Sequence, residues 1–238
     1  MKILLTICAR GGSKGIPGKN IKIINGKPLI AYTIASAKKF AVEYEADIVL
    51  STDCEKIKEV AKNYGLETLY TRPSTLATDT TGKIEVIKDI LNYTEDLNKT
   101  IYDFILDLDI TSPLRTQDDL RNAFKILQNN DKALNIFSVS PASRNPYFNM
   151  VEMKSDGYFK IVKDLGNIRT RQTAPPVYDM NASFYFYRRE YFRSSYNSSI
   201  TDKSLCFVMD HLCFDLDEPF DFQIMDLIMR HNLLNFEF

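Results

Sequence analysis

The sequence reads ILLTIC from Ile3 to Cys8 and continues as ARGGSKGIPGKN from Ala9 to Asn20. A short, uninterrupted apolar run is typical of a strand that is buried on both faces of a parallel sheet. The run stops where the glycines begin, and glycine lets the backbone turn sharply because it has no Cβ. This stretch therefore predicts an α/β protein whose first strand leads directly into a glycine-rich loop.

Beyond this loop, strand patterns alternate with helical patterns along most of the chain. The further predicted strands are Asp47–Thr52, Glu67–Tyr70, Phe104–Leu108, Ala133–Val139, Ala182–Tyr187 and Cys206–Met209. The predicted helices are Pro28–Phe40, Glu55–Tyr64, Thr81–Tyr93, Gln117–Gln128 and Glu218–Met229. Such alternation favours a three-layer fold, in which a mostly parallel sheet carries helices on both faces.

The alternation stops between Ser143 and Tyr178, where Arg, Asn, Pro and aromatic residues are frequent. Two short strands, Phe148–Met153 and Tyr158–Val162, are predicted around the turn Ser155–Gly157. A chain of 238 residues is long enough for one large α/β domain and too short for two complete enzymes. We therefore predict a single domain over 1–238, with an excursion at 143–178 that contacts another subunit.

The composition excludes several classes of function. A formal net charge of −1 provides no basic field for binding nucleic acid. The four cysteines form no CxxC pair and are accompanied by two histidines, so the sequence disfavours a zinc site. The apolar run before Arg10 is too short for a signal peptide or a membrane span. We expect a cytoplasmic protein with reduced thiols that binds neither nucleic acid nor membranes.

The glycine-rich loop carries the strongest indication of chemistry. Its glycines allow backbone N–H groups to approach an anion, and the cations Arg10, Lys14 and Lys19 stand among them. Such a loop suits a triphosphate, because each charge-assisted hydrogen bond to a phosphate contributes about 1.5–3 kcal/mol to binding. Neither the Walker pattern nor the GxGxxG dinucleotide pattern matches its glycine spacing. The alternative is a flexible surface loop whose lysines are solvated.

The loop from Arg10 to Asn20 resembles the signature loop of the acylneuraminate (CMP-sialic acid) cytidylyltransferases. Further segments resemble this family's motifs in the same order, namely Ser51–Asp53, Arg72-Pro73 with Leu76–Thr80, Thr111–Arg115, Arg171-Gln172 with Asn181 and Tyr185, and Asp215–Asp217. The resemblance covers nearly the whole chain. It implies a Rossmann-like fold of the nucleotide-diphospho-sugar transferases and the transfer of CMP from CTP to a sugar, with release of pyrophosphate.

The resemblance also implies which residues hold the nucleotide. Arg10 and Lys19 would bind the CTP phosphates and stabilise the departing pyrophosphate, which makes them catalytic together with Asp217. Arg72 would lie near the cytosine edge, unless it is a solvated residue of an Arg-Pro turn. The complete predicted nucleotide set is Arg10, Gly11, Gly12, Lys14, Lys19, Asn20, Arg72, Thr80 and Lys83.

Two acidic pairs compete for the role of metal site. Asp215 and Asp217 alternate along an extended segment, so both carboxylates face one side. Hard oxygen ligands suit Mg²⁺, with Mn²⁺ as a substitute, and the resemblance assigns this pair to the metal. The alternative for this pair is a solvated turn. The rival pair, Asp107 and Asp109, resembles the DxD motif with which nucleotide-sugar glycosyltransferases hold a divalent ion.

The sugar-binding residues implied by the resemblance are Asp109, Arg144, Arg171, Asn181 and Tyr185. Arg171 would pair with the sugar carboxylate, because guanidinium matches carboxylate in a two-pronged geometry. Arg144 would reach the site of a neighbouring subunit. Alternatively, both arginines form surface ion pairs of little energetic value. Most acylneuraminate enzymes have Gln where this chain has Asp109.

Several segments point to one branch of the family. Ser143–Asn149 and Thr170–Ser183 resemble the legionaminic acid enzymes, as do the variants Asp107–Asp109 and Gly82-Lys83. This implies a homodimer, formed through 143–178, that uses CTP and a nine-carbon acidic sugar such as N,N′-diacetyllegionaminic acid. The alternatives are N-acetylneuraminic, pseudaminic or ketodeoxyoctonic acid as the sugar, a glycosyltransferase, and a nucleotide-binding protein without catalysis.

Overall fold

The computed structural model describes residues 1–12 and 15–238. Its strands are β1 (Ile3–Cys8), β2 (Ile23–Ile24), β3 (Lys27–Pro28), β4 (Asp47–Ser51), β5 (Phe104–Leu108), β6 (Asn135–Pro141), β7 (Val151–Met153), β8 (Phe159–Ile161), β9 (Tyr178–Arg188) and β10 (Ser204–Val208). Its α-helices are α1 (Leu29–Tyr44), α2 (Glu55–Asn63), α3 (Lys83–Asn98), α4 (Gln117–Gln128) and α5 (Pro219–Arg230).

The main sheet has six strands in the order β10-β6-β9-β5-β1-β4. β1 pairs in parallel with β4 and β5, and β6 pairs in parallel with β10. β9 runs antiparallel to both β5 and β6. The sheet is therefore mostly parallel, as predicted. The carboxyl ends of β1, β4 and β5 meet at one edge, where β1 passes into the glycine-rich loop.

The side chains of β1 alternate between two apolar cores, as the two-residue period of a strand requires. Ile3, Leu5 and Ile7 belong to the core beneath α1, α2, α4 and α5. Leu4 belongs to the core beneath α3. Helices thus cover both faces of the sheet, which confirms the three-layer prediction. No helix within the described residues is both long enough and apolar enough to cross a membrane.

The strand predicted at Glu67–Tyr70 is wrong, because this segment forms no ladder with the sheet. It is attached to β4 by isolated hydrogen bonds instead. The Thr68 hydroxyl donates to the Leu50 carbonyl at 3.0 Å. Two residues past the segment, the backbone N–H of Arg72 donates to the Thr52 carbonyl at 2.9 Å. These bonds place Arg72 at the carboxyl end of β4.

Several other boundaries differ from the predicted ones by a few residues, and two of them have a local explanation. α3 begins at Lys83 rather than Thr81, and the Thr81 hydroxyl bonds instead to the Thr78 hydroxyl at 2.7 Å in the preceding turn. β9 begins at Tyr178 rather than Ala182, because the strand keeps pairing with β6 past an irregularity in their register.

A separate hairpin of β7 and β8 lies within the predicted excursion at 143–178. Its turn is the predicted one, and Gly157 adopts a φ of +83° there, a conformation that favours glycine. Several of its apolar side chains are exposed, namely Val151, Met153, Tyr158 and Phe159. The hairpin thus presents an apolar surface that this chain alone does not cover.

Candidate active site

Two adjoining cavities form a cleft at the carboxyl ends of β1, β4 and β5, and both are lined by Cys8 and Arg10. The first, of about 290 Å³, is also lined by Gly15, Lys19, Asn20, Asp109, Thr111 and Asp217, and we call it the loop cavity. The second, of about 270 Å³, is also lined by Arg72, Leu76, Thr78, Asp79, Thr81, Lys83 and Val86, and we call it the Arg72 cavity. Open α/β sheets bind their ligands at this edge.

A larger depression of about 690 Å³ lies elsewhere, along α2. It is lined mainly by the Lys and Glu side chains of that helix, and none of the predicted site residues line it. The cleft, in contrast, brings together cations, carboxylates and glycine backbone. It is the candidate active site for that reason.

The glycine-rich loop is fixed at both of its ends. The Gly11 N–H donates to Asp53 Oδ1 at 2.8 Å, and the Asn20 amide donates to the Arg10 carbonyl at 3.0 Å. A Cβ atom at Gly15 would lie 2.4 Å from the Asp217 carbonyl oxygen, so only glycine permits this backbone contact. The loop is therefore packed at Gly15 directly against the segment Asp215–Asp217.

One predicted cation of the loop, Lys14, lies outside the described residues, as does Ser13. The other two, Arg10 and Lys19, line the loop cavity. Arg10 donates to Asp79 Oδ1 at 2.7 Å. The Lys19 ammonium donates to the Leu216 carbonyl at 2.5 Å and lies 3.7 Å from Asp217 Oδ1. Both cations face anionic or carbonyl oxygens, and phosphate oxygens are stronger acceptors of the same kind.

Arg72 is buried at the wall of its cavity. Its Nε donates to Ser51 Oγ at 3.0 Å and its Nη2 donates to the Ser51 carbonyl at 2.8 Å. The guanidinium is thus held by the end of β4 rather than solvated in a turn. Thr80 is exposed, and its hydroxyl lies 3.2 Å from that of Thr78, which lines the same cavity.

The pair Asp107 and Asp109 already holds a cation. The Lys83 ammonium lies 3.1 Å from Asp107 Oδ2 and 2.5 Å from Asp109 Oδ2. It also lies 4.6 Å from the centre of the Tyr185 ring, which the sheet register places beside Asp107. Burial disfavours the Asp109 carboxylate, but Lys83 and the hydrogen bonds from Thr111 outweigh it and lower the pKa of Asp109 to about 2.

The pair Asp215 and Asp217 differs. Asp215 Oδ1 is buried and has no hydrogen-bond partner in the described part of the chain. Burial raises the pKa of Asp215, and repulsion from Asp109 raises it further. The Asp217 side chain is 77% exposed. A buried carboxylate oxygen without a partner is costly, and a cation relieves that cost.

These residues fit a divalent cation. Mg²⁺ is commonly held by one or two carboxylates, with substrate phosphates and water completing its shell. Across residues 1–12 and 15–238, no group of three or more His, Cys, Asp or Glu side chains is arranged to hold a metal ion. The pairing of Lys83 with both Asp107 and Asp109 also disfavours the alternative of a glycosyltransferase that holds its metal there.

The predicted sugar-binding residues are dispersed in this chain. Asp109 lines the loop cavity, and the Tyr185 ring lies against the ammonium of Lys83, which lines the Arg72 cavity. Asn181 is buried, and its amide bonds to Ser138 Oγ at 2.6 Å and Ser140 Oγ at 2.9 Å, within the β6–β9 pair.

Arg144 and Arg171 are exposed and line a further cavity of about 530 Å³, most of whose lining residues belong to the excursion. Arg171 donates to the Ser143 carbonyl at 2.9 Å. The roles predicted for Asn181, Arg144 and Arg171 remain predictions.

Sequence reasoning assigned no role to several residues that shape the cleft. Asp53 anchors Gly11, Asp79 pairs with Arg10, and Thr111 donates to Asp109 through its N–H at 3.0 Å and its hydroxyl at 2.8 Å. Buried Arg115 donates to the Ser112 carbonyl at 2.8 Å and to the Asp109 carbonyl. All of these residues stand in segments that carry the family resemblance, and that is the signal that pointed to them.

A family model and several known proteins match this chain over nearly its whole length. The family model, described as "Cytidylyltransferase", matches residues 4–223. Post-translational flagellin modification protein B of Campylobacter coli is 42% identical over 236 residues, which are 98% of this chain and 97% of that protein. The CMP-N,N′-diacetyllegionaminic acid synthase of Campylobacter jejuni is 42% identical over 231 residues, which are 96% of this chain and 95% of that protein.

The fold has a counterpart among solved structures. The CMP:2-keto-3-deoxy-manno-octonic acid synthetase, solved in complex with CTP, superposes with a TM-score of 0.69 at 16% sequence identity. The match covers 98% of this chain and 100% of that chain. At this identity, the likeness concerns the fold.

Proposed function

The chain belongs to the cytidylyltransferase family, as its motifs predict, and we propose that it transfers CMP from CTP to the anomeric hydroxyl of a nonulosonic acid. One observation carries this proposal. Two cations of the glycine-rich loop, Arg10 and Lys19, line one cavity with Asp217. Asp215, two residues before Asp217, has a buried oxygen without a partner among the described residues, so a triphosphate and its metal ion could bind together there. The preferred sugar is N,N′-diacetyllegionaminic acid, because a relative named for this sugar is 42% identical over 96% of the chain.

The chain's own residues would act mainly by positioning and by neutralising charge. CTP phosphates would replace the present partners of Arg10 and Lys19, whose cations would then stabilise the departing pyrophosphate. The sugar hydroxyl oxygen forms a bond to the α-phosphorus and gives up its proton to solvent, while the bond from the α-phosphorus to the bridging oxygen breaks and pyrophosphate leaves. Arg72, held by Ser51, would fix one wall of the nucleotide site.

Asp215 and Asp217 would hold Mg²⁺, with Mn²⁺ as a substitute. The supporting observation is the buried Oδ1 of Asp215, which has no hydrogen-bond partner within residues 1–12 and 15–238. When bound, the ion would polarise the α-phosphate and neutralise charge there. Asp217 would have to turn from Lys19 toward the ion, and its exposure leaves it free to move.

We further propose a cytoplasmic homodimer formed through 143–178. The exposed apolar side chains of the β7–β8 hairpin support this assembly. Arg144 and Arg171 belong to the same segment and line a cavity there, from which they could serve a partner's cleft. Light scattering of the purified protein tests this point, and a mass of one chain at micromolar concentration would contradict it.

The reaction itself is tested by pyrophosphate release with CTP, Mg²⁺ and a panel of nonulosonic acids, with mass spectrometry of the product. We expect release with the N,N′-diacetyllegionaminic acid and the mass of its CMP derivative. Release only with N-acetylneuraminic, pseudaminic or ketodeoxyoctonic acid would preserve the reaction and overturn the sugar. If protein that binds CTP released no pyrophosphate with any sugar of the panel, the proposed reaction would be wrong.

A further inference from the structure

The four carboxylate oxygens of Asp107 and Asp109 all have partners within the chain. Asp107 Oδ1 accepts the Thr6 hydroxyl at 2.8 Å, and Asp109 Oδ1 accepts two hydrogen bonds from Thr111. The two Oδ2 atoms both face the Lys83 ammonium, at 3.1 Å and 2.5 Å. One ammonium therefore bridges two carboxylates in the manner of a divalent ion.

The fold holds this ammonium in place from several sides. Lys83 is the first residue of α3, so its backbone is fixed by the helix. Its ammonium rests over the Tyr185 ring at 4.6 Å, a favourable cation–π distance. Asp107 and Asp109 together raise the pKa of Lys83 well above its ordinary value despite burial, so the cation is permanent at neutral pH.

We propose that Lys83 is the resident cation of the Asp107–Asp109 pair, a positioning residue that closes this pair to divalent ions. Divalent ions are then confined to Asp215 and Asp217. The placement of divalent ions at Asp215 and Asp217 rests on the proposed function in one respect, namely that the reaction uses a divalent metal ion. Lys83, which lines the Arg72 cavity, would also keep Asp109 ionised and oriented in the wall of the loop cavity.

The proposal predicts that removing the ammonium creates a metal site that the native protein lacks. Lys83→Met keeps the length of the side chain and leaves two neighbouring carboxylates without their cation. Mn²⁺ alone, without CTP or sugar, is titrated into the protein and followed by electron paramagnetic resonance. We expect Lys83→Met to bind one Mn²⁺ per chain more than the native protein does. The additional ion should bind at least about tenfold more tightly than any Mn²⁺ binds to the native protein.

Two double variants locate the new site. Lys83→Met with Asp107→Asn should lose the additional Mn²⁺, whereas Lys83→Met with Asp215→Asn should keep it. Binding by Lys83→Met that equals that of the native protein would overturn the proposal. So would an additional ion that disappears with Asp215→Asn instead.

A comparison without Lys83→Met covers the case in which that variant does not fold. In the native background, Asp107→Asn should leave Mn²⁺ binding unchanged, and Asp215→Asn should weaken it. Weaker binding in Asp107→Asn would show that the pair is open to metal and would overturn the proposal. Because neither titration contains substrate, a failure of pyrophosphate release would leave these outcomes unaffected.

Discussion

The sequence contains Asp-Leu-Asp twice, at 107–109 and at 215–217, and each segment places its second aspartate in the wall of the loop cavity. At the first, a lysine and two threonines satisfy every carboxylate oxygen. At the second, Asp215 Oδ1 has no partner among the described residues and Asp217 is mostly exposed. Identical sequence patterns thus provide one carboxylate pair whose oxygens all have partners and one pair with a buried oxygen that has none among the described residues.

The difference arises from chain segments that are distant in sequence. Lys83 stands 24 residues before Asp107 and reaches it only because α3 starts above the carboxyl end of β5. No comparable lysine side chain fills the second pair within the described residues, where Lys19 approaches Asp217 only to 3.7 Å. A DxD pattern therefore indicates a metal site only when the surrounding fold leaves its oxygens without partners.

The largest effect is expected from the second pair. Asp215→Asn and Asp217→Asn should each lower kcat for pyrophosphate release by about 1,000-fold, because they would remove the proposed ligands of the Mg²⁺ that would polarise the phosphate. The measurement is made at saturating Mg²⁺, with thermal unfolding as a control for folding. Unchanged turnover in Asp217→Asn would show that the metal assignment is wrong.

A second test addresses the contact between the loop and this pair. Gly15→Ala would place a methyl group 2.4 Å from the Asp217 carbonyl, which must displace the loop or the acidic segment. We expect kcat/KM for CTP to fall about 10- to 100-fold, since small misplacements of reacting groups are costly. Gly82→Ala is the matched control, because the nearest atom to a Cβ there is Glu85 Oε1 at 3.8 Å, an ordinary contact distance. An equal fall in kcat/KM in both variants would show that the contact between Gly15 and Asp217 has no particular role.

The third test compares the pairs through the pH dependence of stability. The pKa of Asp109 is lowered to about 2, because Lys83 outweighs the effect of burial. At pH values above the ordinary pKa of aspartate, the ionised Asp109 therefore stabilises the fold by about 2 kcal/mol. This contribution is lost as the pH falls through the pKa of Asp109 in the folded state. The pKa of Asp215 is raised, first by burial and then by Asp109, so its stabilising form is the protonated one. That contribution is present at acid pH and lost as the pH rises through the raised pKa.

Urea unfolding in metal-free buffer measures both contributions. At neutral pH, Asp109→Asn should lower the free energy of unfolding, and Asp215→Asn should raise it. Changes of the same sign in both variants would mean that the two pairs do not differ in the way their contacts indicate.

The same contrast explains what could be predicted from sequence. The strands β1, β4 and β5 and the helix α4 follow from apolar periodicity almost to the residue, because local patterns determine them. The loop cations, Arg72 and both acidic pairs were found through motifs that the fold gathers at one sheet edge. The filling of one pair by Lys83 could not be found, because it depends on where α3 begins relative to β5. Nor could the pairing of Arg10 with Asp79, since both residues lie in irregular loops.

The smallest effect is expected at the ion pair of Arg10 and Asp79. Asp79 belongs to neither Asp-Leu-Asp segment, so this test extends the comparison to a third carboxylate site. Asp79 is 42% exposed and Arg10 is 33% exposed, so solvent screens their interaction and it contributes only about 0.5 kcal/mol to stability. If CTP phosphates replace Asp79 as the partner of Arg10, Asp79→Asn removes a competitor and should lower KM for CTP by about twofold. Unfolding and initial-rate measurements check the two values. A KM that rises several-fold would instead mean that Asp79 holds Arg10 in the geometry that the nucleotide needs.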